Sequence, residues 1–186
     1  MFSSRLLLFF AVLLIYLSQY VVHSATTISF ESTESKHISK ANSPVESIIN
    51  VSGLSSLLSS SAVVTAQIWI AHTWNGDLII RLYGPDGSYI TISNRCGGNN
   101  ANVFNGTLFT DSAPNSVSTY SFSNNIVVSP LRPEDPFSNF IGKNPNGKWK
   151  LWINDAAISD DGQLYGFILS IQGSNQNMKS ENKYKK

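Results

Sequence analysis

HTWNGDLIIRLYGPDGSYI, residues 72–90, sets His72, Asp77 and Arg81 within ten positions and then runs into a glycine-bounded turn. Read for reactivity, it offers a base and an acid. Read for structure, Leu78, Ile80 and Leu82 alternate with Ile79, Arg81 and Tyr83, the period-two pattern of a half-buried strand. Gly84-Pro85-Asp86-Gly87 is then a four-residue turn, with Pro85 pre-setting φ at its second position, and Tyr89–Ile92 returns as a hairpin. The Asn75-Gly76 step before Asp77 predicts a turn out of the preceding strand.

Upstream, residues 62–74 predict the longest strand, with Ala62, Val64, Ala66, Ile68 and Ile70 on the core face and Val63, Thr65, Gln67, Trp69 and Ala71 opposite. Glu46–Val51 is an earlier strand, and the serine-rich stretch 52–61 connects the two. Downstream, NRCGGNNAN (94–102) is a loop before a short strand at 105–110, which Asp111 to Pro114 ends. Ile126–Val128 is the compact apolar run of a long polar connection. Pro130, Pro133 and Pro136 exclude a helix there, while 136–142 predicts a single helical turn burying Phe137, Phe140 and Ile141.

In KWKLWIND, Trp149, Leu151 and Ile153 share one face and Trp152 lies on the other. A final hairpin is expected to turn at 159–162 and return along 163–172 with Tyr165, Phe167, Leu169 and Ile171 alternating. About eight short strands without helical periodicity predict an all-β, antiparallel jelly-roll sandwich.

The ends of the chain read differently. Arg5 followed by an apolar run from Leu6 to Val22 predicts a signal peptide over 1–24, cut after Ser24, and hence a secreted protein with no membrane span once cleaved. An uncleaved anchor is the competing reading. Removing 24 of 186 residues leaves 162, the size of one domain, with 12 basic and 12 acidic side chains. That balance excludes nucleic acid as a partner. Residues 25–38 read as a polar leader tied to the domain's edge, 39–172 as the domain, and 173–186 as a solvated basic tail.

Cys96 is the only cysteine. No intrachain disulfide is available, and the expectation is a free thiol, with intermolecular pairing as the alternative in an exported protein. Asn50-Val51-Ser52 and Asn105-Gly106-Thr107 are glycosylation sequons at Asn50 and Asn105.

Beyond the signal only His37 and His72 remain as candidate bases. His37 reads as a solvated surface residue, His72 as a structural lock bonding across the Asn75-Gly76 turn to Asp77 or to backbone. No GxSxG elbow accompanies it, and zinc spacing is absent. Calcium suits the donors better: Asp77 and Asp111 at strand ends are the expected ligands, Asp155 a weaker one, and the Asp160-Asp161-Gly162 turn reads as turn chemistry. Trp69, Trp74, Trp149 and Trp152 read as core rings, the alternative being a sugar-stacking platform, for which Trp74 beside a turn and Trp152 opposite the apolar set are the residues to check for exposure.

Four ordered stretches, HTWNGDLIIRLYGPDGSYITI, the glycine-rich loop with FNGTLFTDSA, NPNGKWKLWINDAA and DDGQLYGFILSI, together with PVESIINVSG upstream, resemble the P domain. This is the Homo B domain that follows the catalytic domain of kexin- and furin-like proprotein convertases, and the likeness is closest to the bacterial branch. The resemblance covers residues 39–172. It implies a jelly-roll sandwich that is not itself a peptidase, that stabilises a subtilisin-like domain and influences its calcium and pH dependence; calcium sites occur in bacterial relatives.

At 186 residues the chain leaves no room for a catalytic domain beside it. The expected function is therefore a secreted, non-catalytic stabilising or protein-binding module, accessory to a subtilisin/kexin-like serine protease and with a protein partner, a protease foremost. Two alternatives are a working part of a serine endopeptidase system and a calcium-dependent carbohydrate-binding sandwich.

Overall fold

The computed structural model describes residues 26–39 and 43–173; the signal-peptide and basic-tail readings fall outside them, except for Gly173, which ends the last strand. Among the described residues nine strands form two antiparallel sheets: β1 (Thr26–Ser32), β2 (Lys36–Ile38), β3 (Val45–Val51), β4 (Val63–His72), β5 (Leu78–Tyr83), β6 (Tyr89–Asn94), β7 (Asn105–Phe109), β8 (Gly147–Asp155) and β9 (Gly162–Gly173). One sheet runs β1-β9-β4-β7 with β2 also on β9, the other β3-β8-β5-β6. Among the described strands only β5 and β6 are joined by a hairpin within one sheet; β2 to β3, β3 to β4, β4 to β5, β6 to β7, β7 to β8 and β8 to β9 all cross between sheets. This is the jelly-roll winding of a β-sandwich. Among the described residues helix is confined to two 3₁₀ turns, Asn75–Asp77 and Phe137–Phe140, and none is long and apolar enough to cross a membrane.

Alternation does what the sequence predicts for the central strands. Val64, Ala66, Ile68 and Ile70 of β4, Leu78, Ile80 and Leu82 of β5, and Trp149, Leu151 and Ile153 of β8 are all buried between the sheets. Phe137 and Phe140, thrown inward by the second 3₁₀ turn, close the core, the Phe140 and Trp149 rings meeting edge to face at 4.8 Å. Burying side chains of this size contributes roughly 1.5–3 kcal/mol each.

Three expectations change. The polar leader does tie to the domain's edge, but as regular strand: β1 pairs with β9 from Thr26↔Gly173 to Ser32↔Phe167, and β2 continues along the same strand. Ile38 is fully buried, so the folded unit takes in residues 26–38 as well as the domain expected from residue 39. Edge strands need backbone partners more than apolar alternation, and this one, mostly exposed on both faces, carries almost no hydrophobic signature. The final hairpin is instead a crossing, since β8 and β9 lie in different sheets. Along β9, Leu164, Phe167, Leu169 and Ile171 are buried while Tyr165 is half exposed. A bulge opposite Trp69 and Ile70, where Gly166 takes φ +152°, shifts the phase by one residue.

Candidate functional site

The His72 corner forms where β4 ends, β5 begins and β8 ends. Register makes it: β8 runs beside β5 with Asp155 opposite Leu78, so the inward phase of Trp149, Leu151 and Ile153 carries Asp155 into the interior. His72 continues the inward phase of β4. The two side chains meet with none of their surface exposed, Nε2 of His72 lying 3.2 Å from Oδ2 of Asp155. Nδ1 lies 2.9 Å from the Trp74 carbonyl and 3.1 Å from the Trp74 N–H, so the same residue's backbone holds it whichever ring nitrogen carries the proton. The second Asp155 oxygen accepts the Ala157 N–H at 2.9 Å.

The glycine-rich loop is laced to this corner. Asn75 N–H donates to the Asn100 carbonyl at 3.0 Å and Gly76 N–H to Gly98 at 2.8 Å. The His72 N–H donates to Oδ1 of Asn102 at 3.1 Å, and Asn102 N–H returns to the His72 carbonyl at 3.0 Å. A Cβ on Gly76 would stand 2.6 Å from the Gly98 oxygen, so the contact exists only because that residue is glycine. HTWNGD and CGGNNAN are therefore two halves of one structure.

Asp77 sits at the rim of the corner: of the two partners the sequence offers His72, the structure gives it the backbone, at Trp74, and not the Asp77 carboxylate. Its backbone carbonyl accepts Ala156 N–H at 2.9 Å and its carboxylate faces Arg95 at 3.7 Å. Burial, first, and then the nearby Asp155 and Asp160 carboxylates raise its pKa above 3.8, against weaker pulls from Arg95 and His72. The lock partner of His72 is instead Asp155, 83 positions away.

Asp111 is elsewhere. It follows Phe109, which pairs with Ala66, whereas Asp77 lies beyond His72; six strand residues at ~3.3 Å set these ends roughly 20 Å apart. Its two oxygens accept the Phe137 and Ser138 N–H groups at 2.8 and 3.0 Å, capping the second 3₁₀ turn. The Asp77 and Asp111 carboxylates therefore lie well apart, and both oxygens of Asp155 are engaged by protein partners. Among the described residues no three His, Cys, Asp or Glu side chains are grouped to hold a metal.

Beside the corner is a cleft of about 260 Å³ lined by His37, His72, Thr73, Asn102, Asp161 and Gln163, among others. β2 places His37 opposite Gln163, 3.9 Å from Asp161 and well exposed. The Thr73 hydroxyl donates to Asp160 at 2.8 Å, so the hydroxyl nearest His72 in the cleft is directed away from it. The arrangement orients and seals a histidine.

Cys96 is a free, half-buried thiol that donates to Glu134 at 3.1 Å. Burial first, then that hydrogen bond, push its pKa up to about 11. Asn50 and Asn105 are both exposed, on the edge strands β3 and β7. Trp149 is core and Trp74 is 44% exposed beside the corner.

Trp152 belongs to a surface that the sequence did not single out, the outer face of the four-stranded sheet. There the Arg81 guanidinium lies 4.9 Å from the Tyr89 ring and 5.2 Å from Trp152, and the Lys150 amine lies 4.5 Å above Tyr83. The outward phases of β5 and β8 carried the signal, since Arg81 and Tyr83 alternate with core leucines as Lys148, Lys150 and Trp152 alternate with core residues.

The family model of the proprotein convertase P-domain matches residues 61–171. Leupeptin-inactivating enzyme 1 of Streptomyces exfoliatus is 29% identical over 144 residues, 77% of this chain and 26% of that protein; the chain thus spans about a quarter of that relative's length. Among solved structures, the serine protease of Aeromonas sobria in complex with its chaperone aligns with TM-score 0.46 and 15% identity, over 88% of this chain and 29% of that one. The same protease without the chaperone gives 0.40 and 13%, over 86% and 29%.

Proposed function

The chain belongs to the proprotein convertase P-domain family, and from that premise we propose that it acts as an exported, non-catalytic module that binds and stabilises a protein partner, a subtilisin- or kexin-like serine protease foremost. The observation that carries this reading is the state of His72. A general base must reach the proton it removes, and this imidazole is fully buried with both nitrogens held by Asp155 and Trp74. Its chemistry is spent on joining β4 to β8. Export is supported by Arg5 and the apolar run after it.

The test pairs the chain with a subtilisin-like protease from the same organism. Co-elution on gel filtration and a longer protease half-life on heating are expected, with no peptide cleavage by the chain alone. Peptidase activity in the purified chain that disappears in a folded His72→Ala variant would overturn the non-catalytic reading. Secreted material should begin at Ala25 by N-terminal sequencing; retention of residues 1–24 would overturn cleavage.

A further inference from the structure

The outer face of the β3-β8-β5-β6 sheet has the character of a recognition surface. Rows across it read Glu46, Trp152, Arg81, Thr91 and then Ile48, Lys150, Tyr83, Tyr89, with exposed Lys148 beside them on β8. From Thr26 to Gly173 the chain carries eight Lys and Arg against eleven Asp and Glu, a net charge of −3. Arg81, Lys148 and Lys150 on this face are opposed by Glu46, with Asp135 at the β6 edge, where its carboxylate accepts the Thr91 N–H at 2.8 Å. Lys150 is paired with Glu46 at 2.7 Å, whereas Arg81 and Lys148 have no carboxylate within 4.0 Å among the described residues.

The aromatic rings hold two of these cations in place: Arg81 is caught between Tyr89 and Trp152, Lys150 lies over Tyr83, and the Tyr83 and Tyr89 ring centroids are 5.0 Å apart. A guanidinium fixed in this way loses little freedom when it takes a carboxylate, and the ring edges beside it accept an apolar or aromatic side chain. Four strands spaced ~4.8 Å apart make the face about 14 Å across, the reach of four extended residues. An acidic body around a small cationic face also disfavours long polyanions. A nucleic acid or an anionic bilayer would bring charge against the surrounding carboxylates within the ~8 Å screening length, while a short segment would not.

We propose that this face binds a short acidic segment of a partner protein, two or more carboxylates flanking an aromatic or aliphatic residue, with Arg81, Lys148 and Lys150 taking the carboxylates and Tyr89 and Trp152 the ring. The proposal rests on the binding-module reading and gives that module's partner a chemistry.

A fluorescein-labelled ten-residue peptide alternating Glu and Tyr tests it by anisotropy on the whole chain, with Trp152 emission as a second signal. Binding should weaken at least tenfold from 50 to about 300 mM salt. It should also weaken at least tenfold in the double variant Lys148→Glu, Lys150→Glu, whose thermal midpoint serves as the folding control. Arg81→Gln should act in the same direction.

Equal binding by the double variant, equal binding of a Lys-Tyr peptide, or capture of heparin fragments or phosphatidylserine vesicles in place of the peptide would each overturn it. Loss of peptide binding with protease co-elution intact would sink the face and leave the module reading standing. Peptide binding without any protease partner would do the reverse.

Discussion

The His72 corner and the outer face of the four-stranded sheet draw on the same kinds of residue and use them in opposite ways. At the corner an imidazole, a carboxylate and a row of amides are buried and bound to each other. On the face, guanidinium and ammonium groups rest on rings with one carboxylate among them. A reactive residue type close to others is thus no sign of reactivity by itself. What separates the regions is whether the polar atoms already have partners: burial demands them, and exposure leaves capacity for a ligand.

The most severe way to break that contrast is to unpair the corner. Asp155→Ala leaves the buried His72 Nε2 and the part-buried Ala157 N–H without their carboxylate, and His72→Ala leaves a buried carboxylate. Losing one member of a buried pair costs about 3–5 kcal/mol, so urea midpoints of both variants should fall far below wild type. Lys148→Glu, on the face, should move the midpoint by under about 0.5 kcal/mol. A corner variant that unfolds no more easily than the face variant would show that the pair carries no stability and would reopen a catalytic role for His72.

Next in size is Gly162→Ala. An added Cβ would lie 2.4 Å from the Ala71 oxygen and 2.6 Å from the His72 ring, and Gly162 pairs with both His72 and Ile38. Overpacking of this kind costs about 1–3 kcal/mol, measurable in the same titration. Gly87→Ala, with nothing within 4 Å, shares no such clash and isolates the penalty of its φ of +81°.

How much of the corner could be read in advance follows from phase. The buried faces of β4, β5 and β8 were legible because their apolar residues alternate without interruption. The same alternation, extended one step, runs from Ile70 to His72 and from Ile153 to Asp155, placing both inside, where each needs a partner. Nearness in sequence pointed to Asp77 instead, because it lies five positions from His72, while the true contact depends on the β5–β8 register, which no local pattern encodes. Tyr165 was misassigned for a related reason: a bulge at Gly166 changes phase inside a strand. β1 and β2 were illegible because an exposed edge strand is held by backbone bonds to β9 and needs no apolar period.

A smaller effect separates the buried thiol from a reactive one. With its pKa near 11 against an ordinary 9.0, Cys96 at neutral pH carries about a hundredfold less thiolate than an exposed cysteine. Alkylation by iodoacetamide should be correspondingly slow in the folded chain and ordinary in urea. Glu134→Gln, which removes the charge but keeps the burial, should speed it several-fold. Fast labelling of the native chain would place Cys96 with the open face rather than with the sealed corner.

The finest test is the pH dependence of Asp77. Its pKa is raised in the folded state by burial and by Asp155 and Asp160, so the folded chain holds this proton more tightly than the unfolded chain does. The favourable contribution is therefore fully present below 3.8 and is lost as pH rises through the higher folded value; at neutral pH the ionised carboxylate is a net cost. Asp77→Asn removes that cost. The variant should be slightly more stable than wild type at pH 7, with the difference shrinking as both are acidified below 3.8, read from urea midpoints across pH 3–7. A less stable variant at pH 7 would mean that the Arg95 contact at 3.7 Å outweighs the repulsion, and that the corner, like the outer face, is organised around a cation.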